Sequence, residues 1–539
     1  MAPSYQSQSL DHLGLVAGMF EELGIGDAID RAIAQDMTKR TVSLGQAVKA
    51  MILNGLGFVN QQLYLVPSFF QHKPTERLVG PGITAADLND DVLGRGLDAL
   101  YGYGVTPLYS LIAPQAAQRL GLTAQFAHLD TTSFHVDGRY NGADAPDDRV
   151  VQSTPGYSRE HRPDLNQVML ELIVEHQAGI PILMKALNGN TNDCSEFGQV
   201  VTAHVQQLHA AHRLTYLVAD SALYSADNLE TLAHSGVPWI TRVPATLAEA
   251  RAVLAQVDPN TLAPLTEGYR FQEVTATYAG IAQRWVVVYS EARRAQARRA
   301  VDKQVRTQGE AELQAFKKLC RTVFACEPDA RQALEHFRAS LQATRLEGET
   351  IRAVSRYGKR GRPTPATAAA KIEYVIEGAL ASSLAYHQTL WDRHSCFILA
   401  TNAQEVTALP AQEVLRAYKG QSRPERGFRF LKDPRFLASS LYLKKPERIM
   451  ALLMVMTICL LVYAALEYRI RQALQSQHAT FPDQKGRPIQ HPTARWVFHV
   501  FVGIHVLLGI GELPVVLNLN GQHQLLLKLL GPSYERLYA

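Results

Sequence analysis

The chain has 539 residues, 47% hydrophobic and 19% charged, a composition of a folded protein of two to four domains rather than a disordered or fibrous one. Its net charge of +4 does not by itself announce a polyanionic partner, although the basic residues are clustered and a local field can act where the sum does not. Five scattered cysteines (Cys194, Cys320, Cys326, Cys396, Cys459), with no Cys-x-x-Cys pair, argue against a zinc site or a disulfide framework and fit a reducing cytoplasm.

The opening MAPSYQSQSLDHLG has no basic n-region and no apolar core, so no signal peptide is expected. Residues 10 to about 120 carry apolar side chains at helical spacing broken by glycines, as in LDHLGLVAGMFEELGIGDAIDRAIAQ and SLGQAVKAMILNGLGFV. They predict a helical N-terminal domain over 1–120. DNA binding and a helical cap or dimer element are both open to it, since no helix-turn-helix signature stands out.

The pattern then changes. AQFAHLDTTSFHVDG alternates as a strand does and closes on the turn pair Asp137-Gly138. After a polar stretch over 139–165, QVMLELIVE and IPILMKALNG, joined by HQAG, predict a hairpin. DCSEFGQVVTAHVQQLHAAH predicts a helix with Asp193 or Ser195 as N-cap, LTYLVAD a short strand ending in Asp220, SADNLETLAHSG a helix, and VPWITRV a strand. Hairpin strands followed by helix, strand, helix, strand predict an α/β core over 121–243 with a mixed sheet flanked by helices.

From about 244 to 390 that order is interrupted. YRFQEVTATYAG and QRWVVVYSE predict a strand pair, EARRAQARRAVDKQV opens long charged helices, and TIRAVSRYGKRGRPTPATAAAKIEYVIEG returns to strands around a basic turn. HSCFILATN then predicts a buried strand and LPAQEVLRAYKG a helix, so the core resumes over 391–475, followed by a C-terminal region over 476–539 that could serve dimerisation. Within the 391–475 part, IMALLMVMTICLLVYAAL, 449–466, is uncharged and long enough for a membrane span. Its flanks, LKKPER and EYRIRQ, are basic on both sides, and a central helix of a large core is also apolar all round, so a buried core helix and no membrane partner are expected.

Three acids stand where acids are unusual. Asp130 lies inside an apolar strand, Asp220 ends one, and Glu425 is a lone carboxylate in YKGQSRPERGFRFLK among Lys419, Arg423, Arg426, Arg429 and Lys432. Strand-end acids of α/β sheets face the ligand crevice. The two aspartates also have structural readings: Asp130 as an acid bonded to the neighbouring threonines, Asp220 as a helix N-cap. Together they suit a pair of magnesium ions roughly 3.5–4 Å apart acting on a phosphodiester, because magnesium takes hard oxygen ligands and keeps several waters. The surrounding cations would hold a DNA backbone.

These segments resemble the DDE transposases of bacterial insertion sequences, in the branch with a YREK signature. Tyr418, Glu425 and Lys432 fall at its spacings, with Gln421 where arginine is usual; HLDTTSFHVDG, YLVADSALYS and GYSREHRPDLNQV are similar to the family's other motifs. The resemblance spans about 121–470. It implies a ribonuclease H-like fold with a strand-containing insertion domain over 244–390. It also implies Asp130, Asp220 and Glu425 as catalytic metal ligands, magnesium as cofactor with manganese able to substitute, and DNA contacts from Tyr418 and Lys432. Gln421, Arg423 and Arg429 belong to the same DNA-facing stretch. The expected activity is binding of terminal inverted repeats as a homodimer, cleavage at the element's ends and transfer of the 3′-hydroxyls to target DNA. A nuclease of the same fold and a transposase-derived DNA-binding protein are the alternatives.

On a continuous helix, positions 418, 421, 425 and 432 share one face. Pro424 disfavours helical geometry at Arg423 and suits a first turn, so a helix starting there would put Tyr418 and Gln421 on a separate element. KRGRP at 359–363 offers Arg360 and Arg362 either as minor-groove hooks or as a plain basic turn. Trp239, Trp285, His128 and His135 follow strand patterns and are expected in the core, and the 291–306 helix is expected to present a solvated basic face.

Overall fold

The computed structural model describes residues 6–58, 63–123, 125–136, 150–156, 164–191, 214–356, 371–433, 443, 445–509 and 514–539. The Asp137-Gly138 turn, the helix expected over 193–212 and the Arg360/Arg362 pair lie outside them. Gln6–Ser9 (β1) pairs antiparallel with His505–Leu508, which pairs in turn with Val515–Leu517. Tyr538 Oη donates to the Asp11 carbonyl at 2.6 Å, and Tyr534 Oη to Glu22 at 2.6 Å, so the chain's last residues are bound into its first helix. The C-terminal region thus spends much of its surface inside its own chain, against residues 6–22.

Around one helix the rest of this body is assembled. The core helix, Pro446–Ser476, opens with proline, whose missing N–H costs nothing there, and ends before His478 in a left-handed conformation (φ 50°). Helices Leu13–Glu22, Leu44–Leu56, Asp90–Tyr103, Val105–Arg119 and Gly521–Leu530 pack against it. Of its most apolar 18-residue window 83% is buried. The uncharged run is therefore surrounded by protein on nearly every side, which is why it is apolar all round. Each wholly buried side chain of this kind contributes ~1.5–3 kcal/mol.

Phe126–Val136 (β2), Asn166–Glu175 (β3), Pro181–Asn188 (β4), Tyr216–Val218 (β5) and Trp239–Arg242 (β6) form the central sheet, in the order β4-β3-β2-β5-β6. β2, β5 and β6 are parallel to each other, and β2, β3 and β4 antiparallel, the mixed sheet expected from hairpins followed by helix-linked strands. The sheet does not stop at β6. Ala263–Thr266 (β7), Tyr269–Tyr278 (β8) and Ile281–Ser290 (β9) join it through Cys396–Thr401 (β12), which lies between β6 and β9. β9 is buried from Gln283 to Ser290 because it pairs with β12 along six residues, so these strands extend the core sheet.

What stands apart begins after β9. Helices Glu291–Arg321 and Glu327–Ser340 pack beside the hairpin Thr344–Arg356 (β10) and Lys371–Ser382 (β11) around a small core of Phe316, Ala330, Leu334 and Ile376. Arg352–Glu377 and Arg356–Glu373 pairs at 2.8 Å line the exposed hairpin, so its charges largely neutralise each other.

Candidate active site

The register of two parallel strands supplies the first geometric fact. β2 and β5 pair Phe126 with Tyr216, Ala127 with Leu217 and His128 with Val218. Continued by two residues, the same register brings Asp130 opposite Asp220. That continuation turns both acids toward one face, just beyond the carboxyl end of β5, where α/β folds hold their ligands. Asp130 is half-buried and accepts the Thr131 backbone N–H at 2.9 Å. Asp220 is exposed and accepts the Ala222 N–H at 2.9 Å through Oδ1, capping the short turn Ser221–Leu223, while the helix Ala226–Ser235 takes Ser225 as its own cap. The capping role thus coexists with an Oδ2 that has no hydrogen-bond partner among the described residues.

Side chains alternate along β2, so His128, Asp130, Thr132 and Phe134 share a face. Over that face lies the Glu425 helix, Ser422–Leu431. At its start Gln421 Nε2 donates to the Leu129 carbonyl at 2.7 Å and Gln421 Oε1 lies 3.2 Å from His128 Nδ1; at its end the Lys432 ammonium sits 5.6 Å from the centre of the Phe134 ring. Eleven residues of helix span about 16 Å and six of strand about 20 Å, so the two run side by side with Asp130 bracketed between the anchors. Glu425, one turn past Gln421, is carried on this stretch. It is exposed and has no ion-pair partner among the described residues, although arginines surround it. Pro424 is the third helical residue, where its missing N–H is no loss. The break falls earlier than Pro424 suggested, at Gly420–Gln421, between this helix and Ala411–Lys419.

The break separates the signature residues. Tyr418 ends the preceding helix, half-buried, with its hydroxyl within hydrogen-bond reach of Arg242 and close to Asp220; burial, first of all, raises its pKa. Gln421 is buried with both ends of its amide engaged inside the protein. Arg423 turns to the β3–β4 connection, where Nη1 donates to the Gln177 carbonyl at 3.1 Å. Arg426 and Arg429 are exposed and unpaired among the described residues, and with Arg423, Lys432, Arg471 and Arg495 they line a cleft of about 1390 Å³ between the Glu425 helix and the core helix.

Two arginines escaped the sequence reading. Arg242 and Arg293 lie over the Phe397 ring, 5.9 and 5.0 Å from its centre, and neither is in an ion pair among the described residues. Burial and the Arg242 charge both weaken Arg293's hold on its proton. A cation closing the strand VPWITRV was the available signal for Arg242; Arg293 was hidden in a helix read as a solvated face.

His128 is fully buried, as expected of a core histidine, and bonds to His176 Nδ1 at 2.8 Å. Burial, helped by the neighbouring cations, lowers His128 to about 3 and His176 to about 4. Both folded-state values lie below the ordinary 6.5 of the unfolded chain, so their contribution is present above about pH 6.5 and is lost as pH falls from there toward 4. A thermal midpoint that declines through that window is the expected result, and one that stays flat from pH 7 to 4.5 contradicts it.

Among the described residues no three His, Cys, Asp or Glu side chains stand together closely enough to hold one metal ion. The two aspartates are aligned by register and Glu425 is carried over the same strand, but the three are not closed into a cage. Their chemistry nonetheless suits a hard cation: all donors are carboxylate oxygens, and Glu425 and Asp220 Oδ2 are uncommitted among the described residues.

Asp130 on β2 and Asp220 just past β5 thus belong to one mixed sheet, and the arginine-rich Glu425 helix packs on β2. Residues 128–462, more than half of the chain, match the family model described as the transposase DDE domain, and the chain belongs to that family. Residues 5–114 match a second model, described as a domain of unknown function. Among solved structures, a piggyBac transposase synaptic complex with hairpin DNA is similar at 10% identity and a TM-score of 0.37, over 93% of this chain and 82% of that one. No curated protein matches the chain.

Proposed function

We propose that this transposase cuts DNA at the ends of its own element and joins the freed 3′-hydroxyls to target DNA, using Asp130, Asp220 and Glu425 as the ligands of divalent metal. The observation that carries the reading is the β2–β5 register, which continued by two residues sets Asp130 opposite Asp220, with the Glu425 helix packed on β2, in a chain of the DDE family. The spacing of Tyr418, Glu425 and Lys432 supports the YREK branch, and the strand order supports a ribonuclease H-like core. Magnesium, or manganese in its place, supplies Lewis acidity to the phosphodiester and a nucleophile of lowered pKa. The chain's own residues do the rest. Arg242 and Tyr418 flank Asp220 and offer donors to a phosphate oxygen, while Arg426 and Arg429 hold the DNA backbone by charge. Two chains act together, since two ends must be held at once.

The test uses the full chain with a supercoiled plasmid carrying its gene and both native flanking sequences, in magnesium or in EDTA. Magnesium-dependent cuts at the element's boundaries, followed by joined products, are expected. Cuts without joined products would make it a nuclease, and binding without cuts a DNA clamp.

A further inference from the structure

The buried polar cluster beside the carboxylates is not needed for metal or DNA contact, yet every atom in it is placed. Gln421 Nε2 donates to the Leu129 carbonyl at 2.7 Å, which turns Oε1 toward His128 Nδ1 at 3.2 Å. An amide oxygen only accepts, so His128 Nδ1 carries the hydrogen. Its Nε2 is then a bare acceptor, and His176 Nδ1, 2.8 Å away, must donate to it. Three hydrogen bonds thus run in one direction, from His176 through His128 and Gln421 to the main chain of β2. The His176 backbone N–H also donates to the Phe126 carbonyl at 3.1 Å, which fixes the far end of the relay to the same strand.

Gly420 shows how closely the chain is seated on this relay. A Cβ there would lie 2.6 Å from His176 Nδ1 and 2.7 Å from His128 Cε1, so only glycine lets the break between the two helices rest on the imidazole pair. Immediately after it comes Gln421, and one turn later Glu425.

We infer that Gln421 is the positioning residue of the active site: with His128 and His176 it latches the Glu425 helix at a fixed height on the Asp130 strand. This rests on the reading of Asp130, Asp220 and Glu425 as the catalytic set. An arginine, usual at this point of the signature, would bring a charge that the relay has no acceptor to balance. The latch therefore replaces a charged contact with a neutral internal one. Misplacing a reacting group by about 1 Å costs on the order of a hundredfold in rate.

The test compares wild type with Gln421→Met, which keeps the length and packing but removes both hydrogen bonds, and with Gln421→Glu, which keeps the acceptor and loses the donor to Leu129. The probe is the plasmid with native flanks, in magnesium. The rate of first-strand cutting by Gln421→Met should fall about 10–100-fold with DNA affinity within twofold of wild type, Gln421→Glu falling as well. Amide hydrogen exchange over 424–431 should quicken while that of 446–476 does not. Wild-type cutting by Gln421→Met beside an inactive Glu425→Gln overturns the latch alone. A loss that merely tracks the folded fraction or DNA affinity, with exchange over 424–431 unchanged, also overturns it. Wild-type cutting by Glu425→Gln overturns the active-site reading and the latch with it.

Discussion

Asp220→Asn, Asp130→Asn and Glu425→Gln are each expected to lose cutting at the element's ends, by on the order of a thousandfold, with folding and DNA affinity near wild type. A metal ligand contributes several kcal/mol of charge stabilisation to phosphoryl transfer, and each 1.36 kcal/mol is about tenfold in rate. The amide substitutions separate this from structure. Asparagine caps a turn as well as aspartate does, so Asp220→Asn retains the bond to the Ala222 N–H and removes only the charge. Asp130→Asn likewise keeps an acceptor for the Thr131 N–H. Glu425 is exposed, so its neutralisation breaks no ion pair among the described residues. Cutting is measured on the plasmid with native flanks and affinity on the same DNA with calcium in place of magnesium. Wild-type cutting by any one of the three removes it from the set. A fall in melting temperature equal to the fall in activity would assign it to the fold instead.

Local chemistry made part of this site legible. An aspartate inside an alternating apolar strand is conspicuous, and so is one carboxylate among five cations. The alternation that marked 126–136 as a strand also says which residues share Asp130's face. What could not be read was pairing across distance. That Asp130 aligns with Asp220 depends on the register of two strands ninety residues apart, which no local pattern specifies. Gln421 looked like a weakened phosphate contact because His128, its partner, is 293 positions away. His128 in turn read correctly as a core residue without its role being visible. Pro424 pointed to a break, and one exists, but at Gly420, because proline is tolerated in a first turn whereas the glycine is forced by the imidazoles beneath it.

The edges of the architecture depend on distance in the same way. β7, β8 and β9 follow the core strands only after an intervening helix, and a strand pair with its own hairpin gives no sign of whether it stands alone. Their place became clear through β12, more than a hundred residues later. The pairing of Gln6 with Leu508 is the extreme case, since a four-residue strand at one end of the chain is ordered by a strand near the other. These long closures let one helix, Pro446–Ser476, organise elements drawn from the first hundred residues, the last thirty and the site itself.

Leu461→Ala therefore destabilises the protein by about 2–5 kcal/mol, the cost of lost transfer free energy plus a cavity that rigid neighbours cannot fill. Leu461 is wholly buried near the middle of the core helix. Around that helix lie packed helices of the N-terminal region, the Gly521–Leu530 helix and the Glu425 helix, so the surroundings are held from several directions and collapse little. Leu313→Ala is the matched control. It removes the same atoms from another 31-residue helix, Glu291–Arg321, at a position 39% exposed, and should cost within about 0.5 kcal/mol. Denaturant midpoints of the two variants, compared without detergent, decide the matter. A Leu461→Ala midpoint no lower than that of Leu313→Ala would mean that the apolar run does not serve as the packed centre of the fold. The Glu425 helix supplies a further readout, because Gly427 sits so close to Leu460 that an added Cβ would be 2.9 Å from its side chain. A core helix loosened at 461 loses its firm hold on that neighbour, and cutting at the element's ends should fall further than the folded fraction alone requires.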